Sequence, residues 1–455
     1  MRIRDEFLLI TDLLITDYFS DIYVNEASAM TRRLTSRSFL LWLLFALWFS
    51  GCTIPERRTA AGSHHHDFIV YWPLPAKDNE LCLAVKDNID VKGVVTTAGS
   101  QYVARTSLPA AQDAACLAIA RARHIRIVGK TNLSELTLSP SGINDYYGTP
   151  RNPFSKLHQI IPGGSSSGSA ASVESGLADI TFGTDTAGSI RVPAACCGIV
   201  GLKTTFGLVP LNGVFPVEPK HLDTVGPMGK DVAHVVQGMD LLEKGFAARY
   251  AAAVRSKPLG RQIKIGRLYL SGTDPQIDKA VDDALTRAGF QVVPLDQAFK
   301  AKWDAAKNDG NTVAAAAAWI SDQKYGFKWG VRARTTAVIL LGRLLYPGQY
   351  RKALERRPAW QHALHEEFKK VDLIALPTLQ TVPPTIPWLG RIALLEARVL
   401  NIQNTVPVNL AGNPALAVPI PVNREHFPMT SLQLVGPRFS EAELLNAGRI
   451  VEASR

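Results

Sequence analysis

From Phe68 onward, short apolar runs bounded by polar residues alternate with stretches of helical spacing. Residues 81–90, LCLAVKDNID, form an apolar run stopped by charged and amide side chains, the pattern of a buried strand entering a loop. Residues 113–125 then carry apolar side chains at helical spacing, and RIVGKTNL behind them reads as a strand and a turn. ADITFGTD and IKIGRLYLSG read as two further strands, AVDDALTRAGF as an amphipathic helix, and QVVPL as the strand that follows it. Between Ala314 and Gln361 the pattern turns helical, opening with an alanine-rich run. DLIALPT and PALAVPIPV supply two late strands, each interrupted by proline, which sheet edges and strand ends tolerate. Strands alternating with helices predict an α/β fold: one large domain with a central mixed β-sheet covered by helices on both faces.

The first fifty residues follow another pattern. Arg32, Arg33 and Arg37 precede the apolar run Phe39–Trp48, and Ser50, Gly51 and Cys52 follow it. A basic start, a short apolar core and small residues predict a signal peptide over residues 30–52. The run is shorter than the roughly 20 apolar residues a spanning helix needs. The segment resembles a bacterial lipoprotein signal, which implies lipidation at Cys52; an uncleaved signal anchor is the alternative. Either form predicts an exported protein, anchored on the periplasmic or outer face through its N-terminal lipid or signal segment. Residues 1–29, with the tandem LLITDLLITD, are expected to be an over-extended start, with translation from Met30. Residues 53–67, including SHHHD, read as a polar linker, and residues 68–455 as the folded domain.

Composition narrows the chemistry. With 46% hydrophobic and 20% charged residues, the chain has the make-up of an ordinary globular protein. Its net charge of +10 is spread over 455 residues without a basic block, which argues against a nucleic-acid partner. Cys82, Cys116, Cys196 and Cys197 are too few for a disulfide scaffold and read as small buried residues. No HExxH or paired CxxC is present, and His362, His365 and Glu366 on one helical face read as solvated surface, so no metal site is expected. No cofactor loop is expected either, because no lysine follows the glycines as a phosphate loop requires. Gly164, Ser166 and Gly168 match the G-x-S-x-G elbow, but Pro162 breaks the strand that should lead into it.

Three stretches remain: Lys86 in VKDN, the loop GGSSSGSAA over residues 163–171, and GTDTAGSIR over residues 183–191. With GLKTTFG they resemble, in fixed order, the amidase signature family. The resemblance runs from about Ala84 to Pro210, returns at DLIALPT, NLAGNPALAVPIPV and SLQLVGPRFSEAELL, and is weak between Glu243 and Lys370. It implies the amidase signature fold and a catalytic triad of Lys86, Ser165 and Ser189. The two serines are separated by twenty-four positions, as in the family. It further implies a cis peptide before Ser165. The backbone N–H groups of Thr186, Ala187, Gly188 and Ser189 would hold the oxyanion. Ser166 and Ser167 are expected to support the site, and Asp185 and Arg191 to flank the turn as an ion pair. Ala187 stands where many members carry glycine, which puts a methyl group into a tight turn.

These residues predict an amidase that cleaves a carboxamide C–N bond through a seryl acyl-enzyme. Lys86, neutral through burial, would take the Ser189 proton by way of Ser165. The partner is a small-molecule amide; its identity and the oligomeric state stay open. Two alternatives stand beside it: the ammonia-releasing A-type subunit of a tRNA-dependent amidotransferase, and a non-catalytic membrane-tethered binding protein on the same scaffold. The expected export argues against the amidotransferase. Trp319, Trp329 and Tyr346 are candidates to line an apolar substrate funnel, or else belong to the helical core.

Overall fold

In the computed structural model, residues 66–72, 80–155, 159–387, 392–424 and 427–455 are described. They form a single α/β domain around one sheet. Its strands are β1 (Phe68–Tyr71), β2 (Cys82–Lys86), β3 (Arg126–Thr131), β4 (Ile180–Asp185), β5 (Val200–Lys203), β6 (Thr224–Gly229), β7 (Lys264–Arg267), β8 (Gln291–Pro294), β9 (Leu373–Pro377), β10 (Ala415–Pro421) and β11 (Met429–Val435). Across the sheet they run β1-β3-β2-β4-β6-β5-β10-β11-β9-β7-β8. The pairs β3-β2, β2-β4, β9-β7 and β7-β8 are parallel; the middle of the sheet is antiparallel.

The helices, in chain order, are α1 (Gln101–Thr106), α2 (Ala118–Ala122), α3 (Ser167–Glu174), α4 (Arg191–Cys197), α5 (Val232–Leu242), α6 (Phe246–Ser256), α7 (Pro275–Arg287), α8 (Gln297–Asp322), α9 (Ala333–Leu345), α10 (Gly348–Glu367), α11 (Ile392–Ile402), α12 (Val406–Ala411) and α13 (Glu441–Ala453). Successive strand residues point to opposite faces, and the cores divide accordingly. Along β9, Leu373 and Ala375 enter one apolar core while Ile374 and Leu376 enter another. Along β10, Leu416, Val418 and Ile420 share the first core, whereas Ala415 and Ala417 face other clusters. Helices pack on both faces, as the sequence pattern predicts.

The proline-bearing late strands meet the strand-end form of the expectation rather than the edge form. β9 and β10 are both interior. Pro377 and Pro421 close their strands, and β5 pairs only with Ala415–Ala417, so Pro419 sits where β10 has a neighbour on one side alone. The expected linker also ends earlier than its sequence suggests: Asp67 is buried, and its carbonyl accepts the Asn132 N–H at 2.8 Å. The rest of that linker, residues 53–65, lies outside the described residues, as do residues 1–29 and 30–52 with Cys52.

Candidate active site

β2 and β4 are parallel neighbours that end at the same edge of the sheet, at Lys86 and Asp185. This brings Lys86 beside the turn formed by residues 186–189, at the carboxyl ends of two parallel strands where α/β sheets commonly bind ligands. The glycine/serine loop arrives between them and opens α3. The Gly164–Ser165 peptide is cis. A Cβ on Gly164 would lie 2.6 Å from the Ser139 carbonyl and the Gly142 nitrogen, so only glycine fits where the loop presses on residues 139–142.

Lys86 and Ser165 are brought into direct contact. Lys86 Nζ is fully buried and donates to Ser165 Oγ at 2.7 Å and to Thr184 Oγ1 at 2.8 Å. Burial brings the Lys86 amine down from 10.5 to about 7, against the opposing pull of Asp185 and Asp223. Ser189 joins the same loop through its backbone: its carbonyl accepts the Ser166 N–H at 3.2 Å. The Ser189 side chain is half-buried, and its hydroxyl has no hydrogen-bond partner among the described residues. The side chains of Ser165 and Ser189 are not bonded to one another. Ser166 Oγ donates to the Thr184 carbonyl at 3.3 Å, while Ser167 Oγ, at the start of α3, is buried without a partner among the described residues.

Asp185 organises the turn. It forms a buried two-point ion pair with Arg191, both contacts at 3.0 Å, and accepts the backbone N–H groups of Gly188 at 2.8 Å and Ile190 at 3.2 Å. Burial alone would raise this carboxyl, but Arg191 outweighs it and holds Asp185 at about 2. The Gly188 N–H is therefore occupied, which corrects the expected set of four oxyanion donors. The N–H groups of Thr186, Ala187 and Ser189 have no partner among the described residues. Gly188 has φ of 131°, and a Cβ there would fall 2.2 Å from Thr405 Oγ1. Ala187 keeps out of the positive-φ region, so its methyl group is accommodated.

Several residues at the site escape sequence reasoning. Thr184 accepts from both Lys86 and Asn88, the latter at 3.1 Å. Asp223 takes the Thr186 hydroxyl at 2.6 Å and the N–H groups of Val217 and Glu218, each at 2.9 Å. Thr405 Oγ1 donates to the Ala187 carbonyl at 2.6 Å. Arg191 also reaches the Thr405 carbonyl at 3.0 Å and Gln433 Oε1 at 2.7 Å. Thr184 had a signal, because it lies inside GTDTAGSIR beside the candidate nucleophile. The others approach from far along the chain. Of the funnel candidates, Trp319 joins an apolar cluster with Phe215 and Tyr325, whereas Trp329 is exposed beneath Arg105. His362 and His365 lie on the exposed side of α10, and no group of metal ligands occurs among the described residues. The four cysteines described are free, three of them buried.

The family description Amidase matches residues 80–445. The chain belongs to the amidase family. It is 32% identical to the A-type subunit of glutamyl-tRNA(Gln) amidotransferase from Halobacterium salinarum, over 81% of this chain and 94% of that protein. It is 35% identical to 2-amino-5-chloromuconic acid deaminase of Comamonas testosteroni, over 82% and 81%. The solved structure of the corresponding amidotransferase subunit from Thermotoga maritima superposes with a TM-score of 0.69 at 25% identity, over 85% of this chain and 86% of that one. Members of this family act on C–N bonds, which places the chain among enzymes of that kind.

The relatives also correct the expected location. Export and membrane anchoring are overturned by similarity to amidotransferase subunits, and among the described residues no helix is long and apolar enough to cross a membrane. Export therefore no longer speaks against an amidotransferase role.

Proposed function

We propose that the chain releases ammonia from a primary carboxamide through a Ser189 acyl-enzyme, in the manner of an amidotransferase A-type subunit. The observation that carries this reading is the buried Lys86 amine, near neutrality at about 7 and 2.7 Å from Ser165 Oγ. Ser189 Oγ attacks the amide carbonyl while its proton passes to Ser165 and the Ser165 proton passes to Lys86. The tetrahedral oxyanion takes the N–H groups of Thr186, Ala187 and Ser189. Lys86 then returns the proton through Ser165 to the leaving nitrogen, the C–N bond breaks, and water releases the acyl group by the reverse route.

Similarity to subunits named for glutamyl-tRNA(Gln) amidotransferase supports the transfer of that ammonia to a partner's product. A stand-alone amidase is the second reading, favoured by the deaminase relative. The purified chain should release ammonia from primary amides and label at Ser189 with a fluorophosphonate, and Ser189→Ala should lose both. Retained turnover in that variant would overturn the proposal. Ammonia release from glutamine that rises on adding amidotransferase partner subunits and charged tRNA supports the first reading; release indifferent to them supports the second.

A further inference from the structure

Ser165 takes its position from the backbone on either side of it. Its carbonyl accepts the Ser134 N–H at 3.1 Å, and the two glycines before it donate to a neighbouring loop, Gly163 to the Ser141 carbonyl at 3.1 Å and Gly164 to the Pro140 carbonyl at 2.8 Å. The two loops meet backbone to backbone: a Cβ on Gly142 would fall 2.3 Å from the Gly163 carbonyl. Ser134 is tied to the same loop, its hydroxyl donating to the Ser139 carbonyl at 2.8 Å. Residues 139–142 are thus the seat on which the serine loop rests. A shift of that seat carries the residues next to Ser165 with it.

One carboxylate grips the seat. Glu396 lies on α11, 255 positions beyond Ser141. Its Oε1 accepts Ser139 Oγ at 2.7 Å and Ser141 Oγ at 2.6 Å, and its Oε2 accepts the Ser141 N–H at 3.2 Å. α11 is itself fixed by an apolar face, because Leu395, Val399 and Ile402 share a cluster with Ile143, just beyond the seat, and with Val192 of α4. Hydrogen bonds to an ionised acceptor are roughly twice as strong as neutral ones, and here three donors converge on one carboxylate. Without it the two hydroxyls, 3.0 Å apart, would retain each other, but the Ser141 N–H would lose its acceptor.

We propose that Glu396 is a positioning residue: its carboxylate holds residues 139–141 so that Gly163 and Gly164 present Ser165 to Lys86 at hydrogen-bond distance. This rests on the reading of Ser165 and Lys86 as the proton path from Ser189 and adds the residue that sets its geometry. Glu396 acts only through Ser165. The Ser165 hydroxyl accepts from the Lys86 amine at 2.7 Å, and that bond both carries the proton and favours the charged amine. Loosening the seat therefore has two linked effects. Proton transfer slows, since a displacement of about 1 Å costs on the order of 10²-fold, and the amine, less supported in its charged form, titrates lower.

The test is Glu396→Gln in the full chain, read as ammonia release from a primary amide between about pH 5 and 9. The side-chain amide keeps one acceptor for the hydroxyls but turns N–H groups toward the Ser141 N–H. Expected is a fall in kcat of about 10- to 100-fold with KM within about 3-fold, together with a kcat/KM midpoint below that of wild type. An unchanged kcat in a folded variant overturns the proposal. So does a lowered kcat with the wild-type midpoint, because general loosening lowers the plateau without moving the titration. Should Glu396→Gln not fold, Ser139→Ala combined with Ser141→Ala removes the two hydroxyl donors and keeps the carboxylate. A fall of about 10-fold with the same downward midpoint is then expected, and wild-type values overturn the proposal equally. Failure of the proton path itself looks different: turnover is retained in Ser189→Ala, or the wild-type profile lacks a rise through about 7. Failure at Glu396 alone leaves both of those as expected.

Discussion

Among the three fully buried lysines described, Lys86 and Lys203 close strands of the same sheet, β2 and β5, and both are drawn down from 10.5 to about 7. Burial is the main cause for each, assisted at Lys203 by the nearby Arg191. Their partners differ. Lys86 Nζ meets two hydroxyls, Ser165 and Thr184, whereas Lys203 Nζ meets two carbonyls, Thr204 at 2.9 Å and Asn413 at 2.8 Å. A carbonyl only accepts, so it fixes a lysine in place. A hydroxyl both accepts and donates, so it can hand its own hydrogen to a neutral amine and take another from beyond. Desolvation alone thus does not make a base; a partner able to turn its hydrogen around does.

The largest expected break in this comparison is at Lys86. Lys86→Met should lower kcat/KM for amide hydrolysis by about 10³-fold or more, the upper part of what general base catalysis supplies, while a folded Lys203→Met remains an active enzyme. Steady-state ammonia release from both variants checks it, and equal losses would erase the distinction. Ser165→Ala should cost about 10²-fold or more, because the proton path loses its middle member.

Next comes pH. The neutral amine is the active form, so kcat/KM should climb as pH rises through about 7 and then level, and Lys203→Met should keep that midpoint. Stability carries the complementary signature. The folded-state pKa of Lys203 lies below its ordinary value, so the unfolded chain binds the additional proton between about 7 and 10.5, and stability rises with pH across that window. Lys203→Met should accordingly stabilise the fold most at and below pH 7, by on the order of 5 kcal/mol less the packing and hydrogen bonds lost, with the gain shrinking toward pH 10. Denaturant melts at several pH values read this directly. The smallest expected effect is at Thr184, whose hydroxyl favours the charged amine by accepting from it. Thr184→Val should move the activity midpoint below that of wild type, by no more than about one unit.

Much of this arrangement can be read along the chain. The apolar run into Lys86 announces a buried strand, and the absence of bulk in TAGS announces backbone amides near a hydroxyl. Alternating strands and helices foretell the mixed sheet. What escapes has a common cause. Asp223, Thr405 and Gln433 act through contacts between segments far apart in sequence, such as the bond from Arg191 to Gln433, and no local periodicity records them. The Gly188 amide departs from its expected role because its capture by Asp185 depends on the turn's conformation rather than on residue type. Pro419 lies at neither a sheet edge nor a strand end, and its tolerance follows from where β5 stops, a property of the neighbour.

Arg191 clasps the start of α4 to Thr405 and Gln433, segments that belong to the last quarter of the chain. The turn bearing Ser189 is consequently not finished until β11 is in place. A ribosome-tethered or truncated chain lacking that strand would hold every reacting side chain and still be inert. Heat that frays the C-terminal strands should silence turnover in step with them, well before the N-terminal half of the sheet comes apart.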